Sequence, residues 1–274
     1  MHISEVGIKR MFTKNNCNGI VFYTAPSFER TGLVRHCITT RLGGVSEGCY
    51  SSMNLRYNCS DTPENVNENF SLISGAVGFE FGDIVLSKQL HEDKIKTVTG
   101  EMRGNGVLFP NRFDSADGLI TTEPHIALTT LYADCVPLLF LDPINRVIAS
   151  VHSGWRGTAA RIGAKAVRKM VSDYGSRPED ILCAIGPSIR IDAYEVGDEV
   201  AQVFIDTFGD TVVKKYGAKY HVDMQKAIAV SLSDEGVKNI DDCGICTYEN
   251  SDMFFSHRKT NGQRGNFGAI IELK

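Results

Sequence analysis

Long apolar runs are missing from this chain. The longest, PLLFL, falls far short of the roughly 20 residues a membrane-spanning helix needs. The opening MHISEVGIKRMFTKNNCNGI has no uninterrupted apolar core of the signal-peptide kind, so no membrane partner and a cytoplasmic location are expected. A basic surplus is missing too. Lys+Arg 29 against Asp+Glu 33 gives a net charge of −4, which disfavours a nucleic-acid partner. Cysteines at 17, 37, 49, 59, 135, 183, 243 and 246 lack the spacing of a disulfide framework, so reduced thiols are expected and metal or catalytic use of one stays open. No internal repeat, low-complexity tract or Pro/Gly/Ser linker divides the chain, and one domain over 1–274 is the simplest organisation.

What is present is patterned. Segment 61–78, DTPENVNENFSLISGAVG, opens on an acidic cap and Pro63, carries Val66, Phe70, Ile73 and Val77 at helical spacing, and stops at Gly78; a helix is predicted. IVLSKQLHEDKIKTVT (84–99) reads as two short strands around a polar centre that holds His91. Between 126 and 151, IALTTLY, VPLLFLD and RVIASV read as three strands, the last two joined by a tight turn at Asp142-Pro143-Ile144-Asn145. Thr158 is read as the cap of a helix with the stripe Ile162, Ala166, Met170 and Tyr174, stopped by Gly175 and Pro178. DILCAIGP predicts a further strand, helices are expected near 196–208 and 222–235, and strands GICTY and GAIIEL close the chain. Strands grouped in runs favour an α+β fold, with mixed, largely antiparallel β-sheets flanked by helices.

The hairpin register brings two reactive residues together. With Pro143 and Ile144 as the central turn residues, Leu141 faces Arg146, Leu139 faces Ile148 and, by extension, Cys135 faces His152. Directly opposed residues share a face with Cβ atoms roughly 4.5–5.5 Å apart. A thiolate and an imidazole so placed would share a metal or a proton. Val136, Leu138 and Phe140 with Val147, Ala149 and Val151 form the other face, apolar throughout and therefore buried, which pins the register. Pro137 cannot donate to the ladder and marks an edge or an opening beside Cys135. Next comes Ser153-Gly154-Trp155-Arg156-Gly157, an aromatic plane and a guanidinium at a strand-to-helix turn where helix N-terminal amides meet an anion. Taken singly, a Cys is most often a small core hydrophobe and a His near a strand end a hydrogen-bonded scaffold residue. Their pairing ahead of this turn argues for a site.

These residues belong to a wider set of motifs: TTRLGGVSEGCYSSMNL (39–55), SKQLHEDKI (87–95), ADGLIT (116–121), YADCVPLLFLD (132–142), HSGWRGT (152–158), AIGPSIRIDAYEVG (184–197) and FFSHRKTNGQRG (254–265). Through them the chain resembles the YfiH/DUF152 family, also described as the multicopper polyphenol oxidoreductase (laccase-like) family or peptidoglycan editing factor (PgeF) family. The resemblance implies a layered sandwich of the CNF1/YfiH type and a mononuclear metal site whose ligands fall on His91, Cys135 and His152, the same three residues being catalytic. It implies Zn2+, with copper as the other candidate. It further implies a purine nucleoside phosphorylase acting with phosphate on adenosine, inosine and methylthioadenosine, adenosine deaminase activity, and a link to cell-wall precursor metabolism. Arg41, Arg156 and Asn54 are the substrate-binding candidates. One departure stands out: Glu92 follows the first ligand where the family usually has Gly, and a carboxylate there would alter access or supply a proton-transfer group.

Two imidazoles and a thiolate leave zinc one open position, the pattern of a catalytic rather than a structural site. Deamination at C6 of adenine also needs an acid/base, and the H-x-E and P-C-x-x-C signature of nucleobase deaminases is absent, leaving Glu92 or Asp134 as substitutes. Phosphorolysis needs cationic or backbone donors around the anion. Arg41 beside Gly43-Gly44 and Arg156 lead; Arg258 and Arg264 are weaker. Three other readings remain open: a metal-free hydrolase with Cys135 as nucleophile and His152 as base, which gives His91 no role; a copper-dependent phenol oxidase, for which one site lacks the several coppers of multi-electron oxygen reduction; and a non-enzymatic surface for a cell-wall precursor enzyme. Cys243-Gly-Ile-Cys246 has no second pair and reads as incidental, and LGGVSEG does not fit a dinucleotide-binding fingerprint.

Overall fold

The computed structural model describes residues 8–10 and 12–274, with side chains from residue 12 onward; part of the N-terminal stretch read above for a leader lies outside the described residues. Two sheets face one another. The first runs β1 (Ile8–Arg10), β15 (Asn239–Asp242), β11 (Leu182–Ile185), β9 (Val136–Asp142), β10 (Val147–Ser153), β7 (Gly118–Thr121), β6 (Ile95–Thr97). The second runs β2 (Thr13–Cys17), β3 (Ile20–Thr24), β4 (Val34–Thr39), β16 (Phe267–Leu273), β8 (Ala127–Tyr132), β5 (Ile84–Leu86). A small sheet of β12 (Glu195–Val196), β14 (Lys219–Val222) and β13 (Val213–Tyr216) stands apart. Most pairings are antiparallel; β1 with β15, β11 with β15, β5 with β8 and β6 with β7 are parallel. The architecture is mixed α+β, as expected.

Alternation along the strands explains the layering. Val136, Leu138, Phe140, Val147, Ala149 and Val151 all join one core, against α4 (Ile162–Tyr174), α5 (Asp198–Phe208) and α6 (Met224–Asp234). Leu139, Leu141 and Ile148 point the other way, into a second core with Leu128, Phe267 and Ile271 of the facing sheet. The outer face of that sheet is closed by Val66, Phe70 and Ile73 of α2 (Pro63–Val77), which ends at Gly78 in the left-handed region (φ 94°) as its stop signal predicts. No described helix is long and apolar enough to cross a membrane.

Four local expectations are corrected. The hairpin loop is wider than a two-residue turn: Val147 pairs with Asp142 and Leu141 with Ile148, so His152 opposes Pro137 rather than Cys135. Asp142 causes this, its Oδ1 accepting the amides of Ile144 (2.8 Å) and Asn145 (3.1 Å), while Arg146 turns left-handed at φ 52°. The slip is two residues, so face assignment survives it. Pro137 marks no edge, since β9 lies between β10 and β11; it sits at the strand's first turn of ladder, and its carbonyl accepts the Gly186 amide at 2.9 Å. Thr158 does not cap the following helix. A short helix, α3 (Trp155–Ala159), starts from Gly154, the left-handed Arg161 (φ 56°) breaks it, and α4 begins at Ile162. GICTY forms no strand, because Gly244 at φ 71° interrupts the extended backbone just beyond β15.

His36 on β4 gives the fold a pH-dependent element. Its Nε2 accepts the Ala25 amide at 2.7 Å, at the start of α1 (Pro26–Glu29), so the folded state holds it neutral. Burial lowers its pKa to about 4. The unfolded chain therefore binds this proton more readily between pH 6.5 and 4. Stability is complete above pH 6.5 and falls by about 3 kcal/mol as pH drops to 4, at ~1.4 kcal/mol per unit. Melting temperatures of the wild type should therefore decline more steeply over that window than those of His36→Gln, which keeps an acceptor but does not titrate. Equal slopes would contradict this.

Candidate functional site

Three ligand-type side chains converge at the end of the first sheet. His91 lies in the loop between β5 and β6, Cys135 in the turn between β8 and β9, and His152 near the end of β10. One donor atom from each lies within 4.8 Å of the others. Cys135 Sγ stands 3.8 Å from His91 Nε2, and the two imidazole rings meet edge to face with centroids 4.8 Å apart. His152 is buried, Cys135 partly exposed and His91 exposed, so the cluster opens to solvent on one side. Apart from Asp83, His125 and Glu272, whose carboxylates are already paired with Arg103 and Arg35, it is the sole such group among the described residues.

Asp117 organises the cluster. This fully buried carboxylate accepts His152 Nδ1–H at 2.8 Å and the backbone amides of Leu90 (3.1 Å), His91 (3.1 Å) and Glu92 (3.0 Å). The three amides hold the His91 backbone left-handed at φ 60°. With Nδ1 committed, His152 presents Nε2 to the cluster, the arrangement that outer-shell carboxylates impose on metal-bound imidazoles. Burial opposes the Asp117 charge, but the His152 hydrogen bond and the amides hold its pKa below the usual range. Burial likewise opposes the Cys135 thiolate, yet the two imidazoles lower its pKa to about 6. Against the opposing effect of burial, Cys135 and Asp117 raise the His152 pKa to about 9, so the metal-free pair is thiolate and imidazolium, and a divalent ion at Nε2 would displace that proton. Asp117 was missed by residue-level reading; its signal was the ADGLIT motif, which the family resemblance had picked out.

Gly154 makes room. A Cβ there would lie 3.0 Å from His91 Cδ2 and 3.3 Å from Cys135 Sγ. Its backbone (φ −74°) is open to any residue, so the requirement is space alone. Gly154→Ala should fold with a melting temperature near the wild type's, yet take up a divalent ion at this cluster roughly tenfold more weakly, the low end for disturbing a ligand's support. Metal titration against a chromophoric chelator reads this, and unchanged affinity would refute it.

His91 and Cys135 line two cavities, and His152 lines the larger of them. The larger, about 660 Å³, has mixed walls and includes Arg56, Lys88, Asn111 and Arg264 with His91, Cys135 and His152. Neither Arg56 nor Lys88 forms an ion pair among the described residues. Arg264 carries a buried Nε without a hydrogen-bond partner, while its NH1 donates to Asn266 Oδ1 and its NH2 lies 3.3 Å from His257 Nδ1; burial together with the Arg56 charge lowers its pKa. Two guanidiniums lining one cavity, neither in an ion pair, form a setting for an anion. The smaller cavity, about 390 Å³, also borders His91 and Cys135 and includes Asp134, Trp155, Arg156, Ile189, Tyr194 and Met224.

Of the sequence-predicted substrate residues, only Arg156 reaches either cavity. Arg41 is spent on backbone: Nε and an NH1 hydrogen bond the carbonyls of Ser51 (2.8 Å) and Ser251 (2.9 Å), and its guanidinium lies over Phe255. Asn54 is fully buried; its Oδ1 accepts the amides of Arg56 and Asn266 at 3.0 Å each, so it supports the cavity wall without facing it. Arg258 turns to the Glu195 carbonyl, whereas Arg264, ranked low on sequence, lines the large cavity. Glu92 points away, bound to Ser115 Oγ at 2.7 Å and Lys94 Nζ at 2.8 Å. Asp134 accepts Thr247 Oγ1–H and the Arg258 amide at the start of α7 (His257–Thr260), both at 2.7 Å. Glu92 lines neither cavity, whereas Asp134 reaches the smaller one with both oxygens already accepting hydrogen bonds.

Comparison with known proteins agrees with the motifs. Residues 35–274 match the family model described as multi-copper polyphenol oxidoreductase laccase. The chain is similar to the purine nucleoside phosphorylase of Deinococcus radiodurans, 38% identical over 88% of this chain and 89% of that one. It is also similar to the purine nucleoside phosphorylase YfiH of Escherichia coli K12, 32% identical over 90% and 98%. The crystal structure of YlmD from Geobacillus stearothermophilus superposes with a TM-score of 0.88 at 30% identity, covering 97% of this chain and all of that one.

Proposed function

The chain belongs to the multi-copper polyphenol oxidoreductase laccase family, and on that premise we propose that it is a cytoplasmic, zinc-dependent purine nucleoside phosphorylase. The observation that carries the reading is that the His91, Cys135 and His152 cluster lines the same cavity as Arg56, Lys88 and Arg264, none of which forms an ion pair among the described residues. The relatives named as purine nucleoside phosphorylases supply the substrate class. Two imidazoles and a thiolate suit zinc, and copper by the same ligand chemistry; when bound, such an ion contributes Lewis-acid polarisation at an open position.

The protein's own part is positioning and charge. In phosphorolysis a phosphate oxygen bonds to C1′ as the C1′–N9 bond breaks, the electron pair leaves with the base, and the phosphate's proton ends on the base. The products are free purine and ribose 1-phosphate. Arg56, Arg264 and Lys88 hold the dianion, and their fixed positive charge favours its approach in a partly dry cavity. Asp117 keeps His91 and His152 in one arrangement throughout. This reading gives His91 a role that a Cys135–His152 hydrolase lacks.

Metal-replete protein given inosine should release hypoxanthine only when phosphate is present, with ribose 1-phosphate formed in equal amount. Chromatography of the products decides it. Base release independent of phosphate would mean hydrolysis and would overturn the reading.

A further inference from the structure

The smaller cavity has a composition that the anion chemistry does not explain. Most of its walls are aromatic and aliphatic: Trp155 opens α3, Tyr194 precedes β12, and Ile189 and Met224 are almost fully buried; Asp134 also lines it, its two oxygens taken by Thr247 Oγ1–H and the Arg258 amide. One cation reaches it, Arg156, whose guanidinium lies 4.3 Å from the centre of the Trp155 ring. A planar, π-faced ligand with acceptor atoms at its edge satisfies all three features: the aromatic rings take its faces, the aliphatic side chains its rim, the guanidinium a ring acceptor. Phosphate and ribose, hydrated and saturated, satisfy none. His91 and Cys135 line both cavities, so a ligand spanning them passes the cluster midway.

Resting on the phosphorylase reading, we propose that the Trp155–Tyr194 cavity is the purine-base subsite, and that the Arg56–Arg264 cavity receives phosphate and ribose. The scissile C1′–N9 bond then lies beside the cluster. Arg156 meets the base as it departs with the bond's electron pair.

Trp155 is the chain's single tryptophan, which makes the proposal directly readable. Titrate the full-length, zinc-loaded protein with adenine, hypoxanthine, inorganic phosphate and ribose 1-phosphate, exciting at the red edge of indole absorption. Adenine and hypoxanthine should quench emission saturably, and neither phosphate nor ribose 1-phosphate should. Tyr194→Leu, which keeps apolar bulk but no ring, should weaken base binding about tenfold, within the range for loss of one stacking partner. It should raise KM for inosine by a similar factor and leave KM for phosphate unchanged. Met224→Ala provides a second variant at the rim if Tyr194→Leu misfolds, with the same split in KM expected at smaller amplitude. Phosphorolysis without base-dependent quenching, or with base affinity unaltered in both variants, overturns the subsite and leaves the phosphorylase reading standing. Quenching that is lost in Tyr194→Leu, in a protein that performs no phosphorolysis, does the reverse.

Discussion

Cys135→Ala is expected to cut phosphate-dependent base release by more than about 100-fold. Loss of a group that merely supports a metal ligand typically costs about 10–100-fold, and this variant removes a proposed ligand itself. The variant should still fold, since Cys135 lies in a partly exposed turn, although it removes the thiolate that pairs with His91 and His152. His91→Ala is the necessary companion. If the cluster holds a metal, both variants lose the ion and the activity together, by elemental analysis and kcat/KM. If Cys135 is instead a nucleophile with His152 as its base, Cys135→Ala is inactive while His91→Ala retains most activity. Wild-type activity in Cys135→Ala sinks both.

That the cluster was legible at all came from parity. Alternation of apolar residues along β9 and β10 identifies the buried face whatever the loop length, because a slip of two residues moves no side chain across the sheet. Which residue opposes His152 depends instead on how Asp142 folds the loop over its own carboxylate, and composition near a turn does not count its residues. Cys135 therefore meets the imidazoles from a turn beyond the strand rather than from across the ladder. Arg41 and Asn54 show a second limit. Both look like binding residues in a glycine-rich segment, yet one is consumed by carbonyls from two separate loops and the other by buried amides, partners hundreds of residues away in the case of Asn266. Arg56 and Arg264, far apart in sequence, become a pair only when β16 returns the C-terminal segment to the 39–55 region, as the Leu55 to Asn266 backbone hydrogen bond shows. Glycine and arginine content carries no record of such returns.

Asp117→Asn should be the most damaging conservative change in the molecule. The carboxylate meets four N–H donors: Oδ1 receives those of His91 and His152 Nδ1, Oδ2 those of Leu90 and Glu92. An asparagine amide has one oxygen, so whichever way it turns, its NH2 faces two donors in a fully buried place. Breaking a buried charged arrangement on one side typically costs about 3–5 kcal/mol. For a chain of this size that corresponds to a fall in melting temperature on the order of 10 °C. Function suffers through a separate route. Without the carboxylate, nothing selects the His152 tautomer with Nε2 free, and the left-handed turn at His91 loses the acceptor that held it, so both imidazoles lose orientation at once. Zinc affinity should drop by about 100-fold, the upper end for an outer-shell change. Thermal melts with and without zinc separate the two effects: the metal-free protein reports the lost hydrogen bonds, and the zinc-induced rise in melting temperature reports the cluster. A variant that melts low but still gains the full wild-type increment from zinc would show that Asp117 braces the fold without orienting the ligands.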